Sequence, residues 1–206
     1  IATFKWRLHE RRNKEFIGNG SDKGKATYNF NELGFRGASP KKKGFKIMSI
    51  GCSHTEGIDV YDHQTWPAQL SSLISNSVDV NLGISGRSND YIARSILTYA
   101  NEFKPDLILI MYTYPNRKEY YTETGGIEPY HPNPWGYFDE DREGRLEWAG
   151  IVSSSNEEND LMNWYKNHQL ITYYLKSKEI PFIWNGTFLG TKYTDENRFD
   201  GDYPNL

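Results

Sequence analysis

Three short segments of this chain carry small and hydrogen-bonding residues where packing residues would be expected. They are Gly51-Cys52-Ser53-His54-Thr55-Glu56-Gly57, Gly83-Ile84-Ser85-Gly86-Arg87-Ser88 and Thr113-Tyr114-Pro115-Asn116-Arg117. Each follows a short apolar run. Together they supply a hydroxyl, backbone N–H groups beside glycines, and a side-chain amide. Those are the parts needed for acyl transfer, in which a nucleophile attacks a carbonyl and donors hold the oxyanion that forms. Ser53 is the candidate nucleophile. A serine just after a strand is also an ordinary helix cap, so its reading turns on whether the other two segments meet it.

A serine hydroxyl is a poor nucleophile without a base, and the imidazoles are His9, His54, His63, His131 and His168. His54 adjoins Ser53, and adjacent side chains point apart, so it is expected to line the pocket. His63 precedes the first long helix, His168 lies on a helix, and His9 is in the N-terminal arm. Glu128-Pro129-Tyr130-His131-Pro132 sets an acid three residues before a histidine, in a Pro-rich stretch that otherwise reads as a lid loop. His131, Asp139, Glu140 and Asp141 show no His-x-x-x-His spacing, so no metal is expected. There is no Gly-x-x-x-x-Gly-Lys-Ser/Thr loop. Gly83-x-x-Gly86 follows the second strand and does not fit the dinucleotide pattern, so no cofactor is expected.

The single cysteine, Cys52, excludes an intrachain disulfide and a multi-cysteine zinc site. It fits a reducing, cytoplasmic compartment. The 206 residues suit one α/β domain, and 24 basic against 27 acidic side chains leave a net charge of −3, which argues against a general nucleic-acid binder. No apolar run approaches the roughly 18–20 residues of a membrane span. Aromatic residues make up 15 %, many outside the apolar runs, which reads as loop packing or as a platform for sugar rings.

The elements that would position the three segments alternate. Residues 46–51, 78–82, 106–112 and 180–184 read as buried strands. Residues 65–75 read as a helix capped by Thr65, with Trp66, Leu70, Leu73 and Ile74 on one face. Residues 88–103 read as a helix capped by Ser88, and 159–177 as a third, with Leu161, Trp164, Leu170, Ile171 and Leu175 inward. Such alternation predicts an α/β fold: a three-layer α/β/α, doubly wound parallel sheet of flavodoxin-like topology. Residues 1–44 read as an extended arm with little regular structure. The domain then runs over 45–206, with a long insertion at 113–157.

The segment Gly51-Cys52-Ser53, followed by Thr55 and Gly57, resembles the first block of the SGNH (GDSL-like) hydrolase family. Thr65-Trp66-Pro67-Ala68-Gln69-Leu70 occupies the place of that family's first helix, and Asn81-Leu82-Gly83-Ile84-Ser85-Gly86 is similar to its second block. Asn31-Glu32-Leu33-Gly34-Phe35-Arg36-Gly37 resembles the stretch preceding the nucleophile block in a subset of SGNH proteins, including some linked to carbohydrate O-acylation. The resemblance spans roughly residues 28–185. It implies Ser53 as nucleophile, with its own N–H, the Gly86 N–H and the Asn116 side chain as oxyanion donors. A shifted register would put Gly83 in place of Gly86, and Arg117 is the alternative to Asn116. His54, Gly83, Arg117 and His131 are expected on the substrate side. The implied function is an esterase removing small acyl groups from a small-molecule or carbohydrate ester. The alternatives are a carbohydrate O-acetyltransferase and a non-catalytic SGNH-like binding or structural protein.

The chain departs from the family's pattern in three places. Cys52 replaces the usual Asp of the first block, which is not the nucleophile. The third block is Tyr-Pro-Asn-Arg instead of Gly-x-Asn-Asp. The late Asp-x-x-His block, source of the family's base, is absent from these residues and expected shortly beyond Leu206, so the chain is expected to be C-terminally incomplete.

Overall fold

The computed structural model describes residues 11–12, 14–19, 25–121, 127–130 and 156–186. Four strands form the central sheet: β3 (Phe45–Ile50), β4 (Ser77–Asn81), β5 (Leu107–Tyr112) and β8 (Phe182–Gly186). They are all parallel, in the order β4-β3-β5-β8. Parallel neighbours require crossovers, and helices supply them: α2 (Trp66–Ser72) before β4, α3 (Asn89–Phe103) before β5, and α4 (Glu157–Ser177) before β8. The chain steps one way from β3 to β4 and the other way to β5 and β8. With right-handed crossovers this winds α2 on one face of the sheet and α3 and α4 on the other.

The local signals explain these elements. Thr65 caps α2, its hydroxyl accepting the Ala68 N–H at 3.3 Å, with Pro67 in the first turn. Ser88 caps α3 in the same way, accepting from Tyr91 at 3.3 Å, and Asn156 caps α4, accepting from Asn159 at 2.9 Å. Met48, Ile50, Val78, Val80, Ile108, Ile110 and Tyr112 alternate along their strands. They pack with Ile92, Ile96 and Phe103 of α3 and with Trp164, Ile171 and Leu175 of α4.

Two helix residues depart from the expected faces. Leu73 is exposed because α2 stops at Ser72 and leaves it as the terminal cap. Leu170 is exposed because its neighbour Ile171 holds the inward position, and consecutive helical residues point about 100° apart.

Within residues 1–44, expected to have little regular structure, β1 (Glu15–Asn19) pairs antiparallel with β2 (Lys25–Asn29). Ala26, Tyr28 and Phe30 form a small cluster of their own. The arm then returns to the domain. Phe35 meets Tyr99 of α3 edge-on at 5.5 Å, and the Ala38 N–H donates to the Asp79 carbonyl at 3.0 Å, covering part of the β4 edge. After β5 comes a second antiparallel pair, β6 (Lys118–Tyr121) and β7 (Ile127–Tyr130).

That arm contact leaves Asp79 in an unusual place. Its Oδ1 is buried without a hydrogen-bond partner among the described residues, and burial pushes its carboxyl up to about 7. Asp79 is therefore neutral in the fold at pH 5, where the unfolded chain ionises it. Its contribution to stability is full below about pH 4 and is lost as pH rises through about 7. Asp79→Asn should flatten this fall and raise stability at pH 8 by about 2 kcal/mol, because a neutral amide still carries part of the desolvation cost. Urea titrations at pH 5 and pH 8 read the difference.

Candidate active site

Parallel strands bring their carboxyl ends to one rim, and a crevice opens where the strand order reverses. In this sheet the reversal lies at β3. Ser53 follows β3 and begins a single-turn helix, α1 (Ser53–Glu56), which ends at Gly57 in the left-handed region (φ 80°). Ile50, the last residue of β3, pairs with Ile110 of β5, so the loops that leave these two strands start from neighbouring strand ends.

The first and second loops are fastened along their length. The Leu82 N–H donates to the Ser49 carbonyl at 2.7 Å and the Ile84 N–H to that of Gly51 at 3.3 Å, so pairing continues past the strand ends. Asn81, on the second side, donates its amide to the Thr55 carbonyl at 2.7 Å and accepts the Gly83 N–H at 2.8 Å. Glu56, on the first side, accepts the Ser85 N–H at 2.5 Å. Gly83 is glycine for contact: a β-carbon there would collide with the Glu56 backbone.

Asn89, the first residue of α3, ties in the third loop. Its amide nitrogen donates to the Thr113 carbonyl and its oxygen accepts the Thr113 N–H, both at 3.0 Å. Beyond that loop, Glu119 of β6 is held by Arg94 at 3.0–3.2 Å, and its N–H donates to Asp90 at 2.8 Å. Burial pushes the Glu119 carboxyl up while Arg94 pulls it back. Lys118 reaches Asp160 of α4 at 2.6 Å. These bonds hold the hairpin against both helices.

Against this network, a few donors stand out. The Ser53 side chain is half-buried, and its hydroxyl has only a weak contact to Cys52 Sγ at 3.9 Å. The Ser53 N–H lies in the first turn of α1, where no helical carbonyl reaches it. The Gly86 N–H and the Asn116 side chain make no hydrogen bond among the described residues. Gly86 has φ 74°, a conformation that favours glycine. The Gly83 N–H, by contrast, is engaged by Asn81, and Gly83 is buried at the loop seam.

The other candidates fall as follows. His54 is exposed at the start of α1. Arg117 is half-buried, its guanidinium 5.6 Å from the Tyr114 ring. His131 lies outside the described residues. Cys52 is buried beside Ser53. His63 is exposed and stacks on Tyr61. His168 bonds Tyr112 Oη through Nδ1 at 3.1 Å and stacks on Trp164, and burial pushes its pKa down. Among the described residues no group of three or more metal-ligating side chains gathers.

Three buried residues that lace the rim, Glu56, Asn81 and Asn89, escape a reading based on apolar spacing. Asn89 carried one available signal. It sits three and seven residues before Ile92 and Ile96, so a polar residue occupies the apolar face of α3.

Fold and rim together define an α/β protein with a doubly wound parallel sheet whose strand order reverses at β3. No family model matches the chain, and no curated protein does. Among solved structures it is similar to a member of the lipolytic protein G-D-S-L family from Veillonella parvula, at 18 % identity and a TM-score of 0.33, covering 76 % of this chain and 84 % of that one. It is also similar to a proposed acylhydrolase from Bacteroides fragilis, at 18 % identity and a TM-score of 0.29, covering 71 % and 70 %. At this identity and these scores no function is transferred from either neighbour.

Proposed function

We propose that this protein is an SGNH-type serine esterase that removes small acyl groups such as acetyl. Ser53 attacks the ester carbonyl. The N–H groups of Ser53 and Gly86, with the Asn116 side-chain amide, receive the oxyanion of the tetrahedral intermediate. Collapse expels the alcohol and leaves an acyl-serine, which water then hydrolyses. A general base takes the Ser53 proton and returns it to the leaving alcohol. Gly83 shapes the loop seam instead of binding the oxyanion. His54 and Arg117 face the acyl acceptor, for which a carbohydrate ester is the class favoured by the aromatic content and the arm.

The observation that supports this reading most is the pattern of use among the rim's donors. Buried side chains engage the neighbouring loop amides, while the Gly86 N–H and the Asn116 amide meet no acceptor among the described residues, on the loops flanking the half-buried Ser53. Preorganised donors that meet nothing in the free protein are what oxyanion stabilisation needs. The test is a serine-directed fluorophosphonate applied to the full-length protein, followed by peptide mass mapping. An adduct on Ser53 is the expected result. An unlabelled Ser53, under conditions where a known serine hydrolase labels fully, overturns the reading.

A further inference from the structure

Glu56 lies three residues after Ser53 and is only 1 % exposed. A buried carboxylate is costly unless every oxygen is occupied by donors. Both oxygens of Glu56 are occupied, by groups from two other parts of the chain. Oε1 receives the Arg11 guanidinium, which reaches in from the N-terminal arm. Oε2 receives the backbone N–H of Ser85 at 2.5 Å. Arg11 is itself steadied by the Phe30 ring, 4.2 Å from its guanidinium carbon. A carboxylate that served packing alone would be replaced at no loss by an apolar side chain. This one fixes the Ile84–Ser85 peptide, one residue before the peptide that carries the Gly86 N–H.

We propose that Glu56, braced by Arg11, is a positioning residue for acyl transfer: by holding the Ser85 N–H it aims the Gly86 N–H toward the carbonyl attacked by Ser53. The inference rests on the roles given to Ser53 and Gly86 under the proposed function. It adds that the N-terminal arm takes part in the chemistry, through one ion pair. No proton passes through Glu56, which acts only on the geometry of the second loop.

The experiment compares Glu56→Ala, Glu56→Gln and Ser53→Ala in the full-length protein, with p-nitrophenyl acetate as substrate. Loss of one aligned oxyanion donor costs about a hundredfold in turnover. Glu56→Ala should therefore lower kcat about a hundredfold with KM changed less than about twofold. Glu56→Gln keeps an oxygen for the Ser85 N–H and should stay within about tenfold of wild type. A Glu56→Ala variant with wild-type kcat overturns the inference. So does a Glu56→Gln variant as impaired as Glu56→Ala, which would point to charge or folding instead of the Ser85 bond. If Glu56→Ala does not fold, amide hydrogen exchange decides: Ser85 should be protected in the wild type, and free exchange there overturns the clamp. Wild-type turnover in Ser53→Ala instead removes the underlying esterase reading, and the inference falls with it.

Discussion

Replacing Ser53 by alanine in the full-length protein should lower p-nitrophenyl acetate hydrolysis at least about ten-thousandfold. The expectation follows from what the hydroxyl does in the free protein, which is almost nothing. Among the described residues its only hydrogen-bonding contact is the weak one to Cys52, and the residue is half-buried at the rim of the sheet. Removing it should therefore change stability by less than about 0.5 kcal/mol. The variant should unfold in urea with the wild type while losing its turnover. KM should hold, because binding through the other rim groups survives. A serine that merely capped α1 would show the opposite pattern, a measurable loss of stability with activity kept. Undiminished turnover would remove Ser53 from the mechanism.

Arg36→Ala should cost about 3–5 kcal/mol of stability, the largest loss expected from any single side chain described. Arg36 is 1 % exposed although it carries a permanent charge. Its Nε donates to Asp62 at 2.5 Å, and Nη1 and Nη2 reach the carbonyls of Glu56, Gly57 and Val60. The Tyr28 ring lies 4.1 Å from its guanidinium carbon. Asp62 also receives the backbone and side-chain N–H groups of Asn29, so the same cluster holds β2 to the domain. Truncation strands buried carbonyls, which is the expensive half of losing a hydrogen bond. Arg36→Lys should recover little, because one ammonium cannot copy a planar fork that serves four acceptors. Urea unfolding measures both variants. A loss under about 1 kcal/mol for Arg36→Ala would mean that water replaces the guanidinium and that the arm is held elsewhere.

The parts of this fold legible in the sequence are those that apolar spacing and capping chemistry encode. β3 and β5 announce themselves as short apolar runs, as buried parallel strands do. Thr65 and Ser88 mark helix starts because an unsatisfied N–H needs an acceptor whatever the tertiary context. β2 was also written in the chain: Ala26, Tyr28 and Phe30 alternate with Lys25, Thr27 and Asn29. The surrounding Lys, Asn and Gly mask that period and give the segment the look of a tail. The three candidate loops follow from strand ends, while it is their resemblance to the SGNH family's blocks that singles out Ser53, Gly86 and Asn116 within them. The lacing of those loops is not legible in either way. Glu56, Asn81 and Asn89 act through bonds across 24 to 29 positions of chain, and no local period records them. Arg36 escapes for the same reason, since a lone arginine in a polar stretch reads as surface until its four acceptors are placed.

At the seam between the first two loops the missing atoms matter as much as those present. A methyl group at Gly51 would press on Thr55 and the Met111 carbonyl, and one at Gly83 would strike the peptide of Glu56. Both would wedge apart the backbones on either side of Ser53. A trivial-looking alanine at either position would therefore misalign the rim from beneath, leaving a folded molecule with every reactive group present and none in register.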